Sequence, residues 1–240
     1  MIGLEIEGEV ARLTLRRPEV RNAIPLHGWD GIAGRVGEAG RRGARLIVVA
    51  GEGGAFCAGA DLGDFPAFAG DTAAAASFRL AMRRAFDAIE TAEVPVVASI
   101  EGPCYGAGVA LAMACDLRLA GPQARFAITP AKMGISYPQE DVARLVALVG
   151  PGQASRLLFG AGAIGTEEAK RIGLVDGDAG ELDATVAAIL ANDRASNATL
   201  KRGVALAAHG VGSDAAQNRV FDELLADPAL AARLEGRRRR

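Results

Sequence analysis

The sequence predicts an α/β fold built on a parallel sheet, with a helical C-terminal region. Three observations predict it. Short apolar runs alternate with helical segments from residue 4 to about residue 138. Two glycine-studded segments, residues 53–62 (GGAFCAGADL) and 101–116 (EGPCYGAGVALAMACD), each follow such a run and lead toward a helix start. From about residue 139 the pattern turns almost wholly helical. Strands that alternate with helices imply parallel pairing, because parallel neighbours need a crossover connection rather than a tight turn.

The elements follow in order. Residues 4–7 and 10–15 read as a hairpin turning at Gly8, and Arg17-Pro18 stops its second strand. A helix is expected over residues 26–36, weakened by Gly28, Gly31 and Gly34. Residues 46–50 (LIVVA) form an apolar run ended by Gly51, which reads as a buried parallel strand. Residues 71–92 read as a long alanine-rich helix. Asp71 or Thr72 caps it, and Phe78, Met82, Phe86 and Ile89 share one face. A strand over 94–100, a helix over 106–114 and a strand over 116–120 come next. Helices are then expected over 139–149, 151–160, 166–172, 181–191, 197–208 and 214–226. The arginines Arg237 to Arg240 read as a solvated tail.

The bulk properties exclude several classes. With 240 residues, half of them apolar, the chain can bury a sizeable core. A formal net charge of −2 argues against a dedicated nucleic-acid or membrane-surface protein. Cys57, Cys104 and Cys115 fit no metal-ligand spacing, and their odd number suggests reduced thiols. No apolar run reaches membrane-spanning length, and residues 1–5 carry no basic block followed by an apolar one, so a cytoplasmic chain is expected. His27 and His209 stand without partner motifs. Trp29 and the Phe78/Met82/Phe86 stripe read as core.

The two glycine segments place backbone N–H groups at turns before helices, where they can stabilise a developing oxyanion. Taken together they resemble the two oxyanion-hole segments of the enoyl-CoA hydratase/isomerase (crotonase) superfamily. Two more stretches agree in order and spacing, residues 10–23 (VARLTLRRPEVRNA) and 165–175 (GTEEAKRIGLV), and the second glycine segment itself runs on into the family's LAMACD helix. The resemblance covers about residues 10–178. It implies a crotonase-like spiral of ββα units over residues 1–180 and a helical trimerisation and cover region over 181–240. It implies an acyl-CoA thioester substrate, no separate cofactor, no metal, and a homo-trimer or dimer of trimers. By motif position the oxyanion donors fall on Cys57 and Ala107. Arg21, Ala23, Ala58, Gly59, Ala60, Asp61 and Gly106 fall along the CoA and substrate path. Because Glu235-Gly236 leads straight into arginines, the pocket's cover is expected to be incomplete or contributed differently.

The sequence departs from the family's hydratases at both glutamate positions, which are Ala110 and Pro130 here. Neither can move a proton. The stretch T-P-x-x-x-G-x-x-Y over residues 129–137 resembles that of methylmalonyl-CoA decarboxylase, a member of the same superfamily, and puts Tyr137 in the site. That enzyme's histidine after the "AG" step is Ala60 here. Glu140 and Asp141 are the remaining acid candidates, set against a role in capping the helix that starts after Pro138. A decarboxylase-like lyase and a carboxylate-assisted isomerase are the leading expectations. Hydration with atypical acids and a non-catalytic acyl-CoA-binding protein are the alternatives. RNA binding has only the arginine tail in its favour.

Overall fold

The computed structural model describes residues 1–231 and Leu234. The arginines Arg237 to Arg240 and the Glu235-Gly236 step lie outside the described residues. Strand β1 (Ile2–Glu7) and β2 (Val10–Leu15) pair antiparallel around Gly8, whose φ of 59° supplies the left-handed turn. Helix α1 (Gly28–Arg41) follows, then β3 (Leu46–Gly51), α2 (Thr72–Glu90) and β4 (Val96–Ile100). Next come β5 (Pro103–Tyr105), α3 (Ala107–Ala114), β6 (Leu117–Ala120) and β7 (Arg125–Ala127). The chain continues through α4 (Gln139–Gly160), β8 (Ile164–Gly165), α5 (Thr166–Arg171) and β9 (Gly177–Asp178), and ends in α6 (Leu182–Leu190), α7 (Arg194–Ala208) and α8 (Ala215–Leu225).

The main sheet runs β1-β2-β3-β4-β6-β9, parallel from β2 onward. Strand β3 reads as an unbroken apolar run because both faces are covered. Ile47 and Val49 face the main core, which α1 and α2 close with Trp29, Ile32, Phe86 and Ile89. Leu46 and Val48 face the other way, with Val97 and Leu119, against Leu182, Val186 and Ile189 of α6. The helical region expected from residue 181 thus begins with a helix that covers the sheet. Lys201 ties α7 to the same body by donating to the Ile89 and Val94 carbonyls, both at 3.0 Å, and pairing with Asp116 at 2.9 Å.

Most expected elements form within two residues of their predicted ends. Asp71 caps α2 by accepting from the Ala73 and Ala74 amides. The α1 helix runs five residues past its expected end, because Ala39 continues the buried face set by Trp29, Ile32 and Val36. The helices expected over 139–149 and 151–160 are joined at a kink, where Gly150 takes φ 74° and Pro151 follows. Strand β9 and two further features were not foreseen. Residues 62–68 form a 3-10 turn carrying Phe65 and Phe68. A second sheet, β5-β7-β8, is made of strands two or three residues long, too short for any periodicity to register. No helix among the described residues is long and apolar enough to cross a membrane.

Candidate active site

The two glycine segments are stitched together by backbone pairing. Cys57 and Cys104 form a parallel bridge: the Cys57 amide donates to the Pro103 carbonyl at 3.0 Å, and the Tyr105 amide to the Cys57 carbonyl at 2.8 Å. This corrects the expectation for Cys57. Its N–H is spent on the ladder and its side chain is fully buried, so it presents nothing to a ligand. Burial also pushes its thiol up to about 12, so no thiolate nucleophile forms there.

The free amide comes three residues later. Ile24 pairs with this segment by donating to the Gly59 carbonyl and accepting from the Asp61 amide. The Ala60 N–H between them has no backbone acceptor among the described residues. Across from it, Gly106 takes φ 52°, ψ −120° and starts α3, which leaves the Ala107 N–H at the first helical position without an acceptor. The two turns are in contact. A Cβ on Gly59 would lie 3.1 Å from the Ala107 nitrogen, and one on Gly108 only 2.3 Å from the Cys57 carbonyl oxygen. Gly108→Ala is therefore expected to cost about 1–3 kcal/mol by overpacking, because the obstacle is backbone. Urea unfolding measures it. Helix α3 is buried along nearly its whole length, so the partial positive charge at its N-terminus acts at short range with little solvent screening.

These amides open onto a cavity of about 710 Å³. Ala58, Gly59, Ala60, Gly106 and Ala107 line one side, with Thr129 and Pro130 beside them. The far side is apolar. Phe65, Phe68 and Phe78 form a ring cluster with centroids 5.0–6.0 Å apart, and Leu62, Met82, Met133 and Ile135 extend it. Arg79, Ser136, Tyr137 and Asp141 bring polar atoms to its edge. Mixed linings of this kind, mostly apolar with a few fixed polar groups, suit a small-molecule site.

Three of the expected substrate-path residues lie outside that lining and brace it. Asp61 pairs with Arg17 at 2.8 Å and accepts from the Gly63 amide, contacts that hold its carboxyl below the usual range. The Arg21 carbonyl receives the Ala58 amide, and the Ala23 carbonyl receives Arg17 Nη1. Buried Asn22, with φ 59°, joins the loops through the Glu52 and Ala55 carbonyls and the Arg17 amide. Of the two missing-glutamate positions, Ala110 is fully buried and Pro130 borders the cavity.

The three acid candidates separate cleanly. Glu140 is exposed and borders a small adjoining gap beside Arg79 and Arg83 but does not line the main cavity, so the structure does not bring it to the site. Tyr137 lines the cavity, but its hydroxyl donates to the Gly106 carbonyl at 3.0 Å. Burial first, and Asp141 next, hold its phenol well above 10, so it is neutral and its proton is committed. Asp141 lines the cavity with 2% exposure. Desolvation raises its carboxyl to about 6, against the pull of Arg144 and Arg83. Among the described residues it is the one carboxylate on the cavity wall. A buried carboxyl near neutrality that shares a cavity with unsatisfied amides is a combination suited to removing and returning a proton.

Residues 5–201 match the family model described as Enoyl-CoA hydratase/isomerase. The chain is 38% identical over 176 residues to "Probable enoyl-CoA hydratase echA6" of Mycobacterium bovis, covering 73% of this chain and 70% of that protein. It is 33% identical over 239 residues to "Probable enoyl-CoA hydratase" of Rhodobacter capsulatus, covering 98% and 88%. The crystal structure of an enoyl-CoA hydratase/isomerase family protein from Hyphomonas neptunium superposes with a TM-score of 0.90 at 37% identity, covering 96% of this chain and 91% of that one.

Proposed function

The chain belongs to the enoyl-CoA hydratase/isomerase family, and from that premise we propose a proton-transferring acyl-CoA enzyme of isomerase type. In this reading the Ala60 and Ala107 N–H groups hold the thioester oxygen as an enolate forms. Asp141 takes a proton from one carbon of an enoyl chain and returns it to another. One observation carries the reading: a single buried carboxyl near neutrality shares a cavity with two unpartnered amides. Isomerisation needs one group that accepts and then donates, whereas hydration must also activate water. The apolar wall of Phe65, Phe68, Phe78 and Met82 favours the hydrocarbon part of the acyl group.

The names of the relatives favour a second reading, hydration, with Asp141 serving both steps. A decarboxylase-like lyase is disfavoured by the commitment of the Tyr137 proton to Gly106. Arg21 is exposed and has no ion-pair partner among the described residues, so it stays available to a CoA phosphate outside the cavity. A homo-trimer also remains part of the proposal. Leu200, Val204, Phe221 and Leu225 on α7 and α8 are exposed at 60–70% and do not line this cavity. Three buried, unpaired cysteines support a cytoplasmic setting.

The test is a panel of 3-enoyl, 2-enoyl and malonyl-type CoA thioesters, with products read by mass spectrometry. The 3-enoyl substrate is expected to give 2-enoyl product. Hydroxyacyl product alone would replace it with hydration, carbon dioxide release with the lyase, and binding without any product with a carrier. Tyr137→Phe is expected to change turnover less than about tenfold, since it removes a buried hydrogen bond of about 1 kcal/mol and no proton donor.

A further inference from the structure

Asp141 is held in an uneven way. Both of its charged contacts fall on one oxygen: Arg144 Nη1 donates to Oδ1 at 3.2 Å, and Arg83 Nη1 lies 3.6 Å from the same atom. The other oxygen, Oδ2, has no hydrogen-bond partner among the described residues, on a side chain that borders the cavity. Behind the arginines stands a second carboxylate. Glu90 Oε2 pairs with Arg144 Nη2 and lies 3.9 Å from Arg83 Nη2. The two guanidinium groups are thus gripped between two acids, with their side chains only 15–16% exposed.

The sequence builds this arrangement from two helix faces. Arg83, Asp87 and Glu90 fall on one side of α2, where Asp87 Oδ1 sits 2.7 Å from Arg83 Nε. Asp141 and Arg144 are three apart near the start of α4, so they share a face. The groups facing the Asp141 carboxyl are therefore Arg83 and Asp87 from α2, Glu140 and Arg144 from α4, and Tyr137 from the segment before it. His209, at the end of α7, approaches the far side of Glu90 at 4.0 Å.

We propose that Arg144 and Arg83 are positioning residues for Asp141, fixing Oδ1 and keeping the group ionised so that Oδ2 faces the cavity, and that Glu90 limits their pull. This rests on Asp141 being the proton-transfer group. The physical need is plain. Burial alone drives a carboxyl strongly upward, and a fully protonated Asp141 has no base to offer at neutral pH. The arginines oppose burial, and the balance near 6 leaves Asp141 roughly nine-tenths ionised at pH 7 while still able to give a proton back. Stronger pairing without Glu90 would make it a weaker base.

The two sides of the clamp predict shifts of opposite sign. The experiment is a titration of γ-¹³C-aspartate-labelled full-length protein by NMR, with the Asp141 signal assigned by its loss in Asp141→Asn. Arg144→Met is expected to move the Asp141 midpoint up by about one pH unit, and Glu90→Gln to move it down. Arg144→Lys keeps the charge and is expected to hold the midpoint while kcat falls. Should Arg144→Met not fold, Arg83→Met carries the same expectation. General loosening of the structure would move both charge variants the same way. Midpoints that stay put, or that shift together, would overturn the clamp. Opposite shifts in a protein that exchanges no thioester proton would uphold the clamp and remove the catalytic assignment of Asp141 instead.

Discussion

Asp141→Asn is expected to lower the rate of proton exchange between solvent and a bound enoyl-CoA by about 10²–10⁴-fold, the range a positioned general acid-base supplies. The amide is close in shape to the carboxyl and keeps an oxygen for Arg144, so thioester affinity is expected to change little. The same variant carries a stability signature. Burial raises the folded carboxyl to about 6, above its ordinary value of 3.8. Between those values the folded state binds more protons than the unfolded one. The stability this group contributes is therefore complete below about 3.8 and lost as pH rises through about 6. Asparagine does not titrate. The stability of Asp141→Asn relative to wild type should thus rise between about pH 4 and pH 7, by up to about 3 kcal/mol. Urea titrations at several pH values measure this. A variant that gains stability where it loses activity marks a site held against its own desolvation cost.

Ala107→Pro is expected to cost about 10²–10³-fold in turnover, equivalent to about 2.7–4 kcal/mol of barrier, while leaving the fold intact. A side-chain change elsewhere cannot remove a backbone donor, but this position allows it. Ala107 is the first residue of α3, where proline's fixed φ suits the helix and its missing N–H interrupts no helical bond. The preceding Gly106 has ψ −120°, outside the helical region that a following proline disfavours. Far-ultraviolet circular dichroism and the urea midpoint should match wild type, and turnover should not.

Much of the fold could be read from local pattern. The β3 run, the Asp71 cap and the Phe78/Met82/Phe86 stripe each follow from burial on a fixed period. The second sheet could not, since its strands are set by long-range pairing of β5, β7 and β8 over two or three residues each. The site was legible to the level of the two glycine turns and the Tyr137–Asp141 stretch. Choosing the amide was harder. Cys57 and Ala60 lie in one loop, and only the ladder to Pro103 and Tyr105 decides which N–H is left over. Asp141 and Glu140 are neighbours in sequence, and a helix turn of about 100° sends one to the cavity and the other to solvent. The arginines that hold Asp141 include one from a helix more than fifty residues away, and no spacing in the chain announces that contact.

The Ala60 and Ala107 amides are expected to polarise a bound thioester carbonyl. Isotope-edited infrared spectroscopy of a bound ¹³C=O acyl-CoA measures this directly. A carbonyl stretch displaced to lower frequency is expected on binding to the wild-type protein, with a clearly smaller displacement in Ala107→Pro at saturating ligand, where only the Ala60 donor remains. A stretch left at its solution value in the wild-type protein, or displaced equally in both, would contradict it.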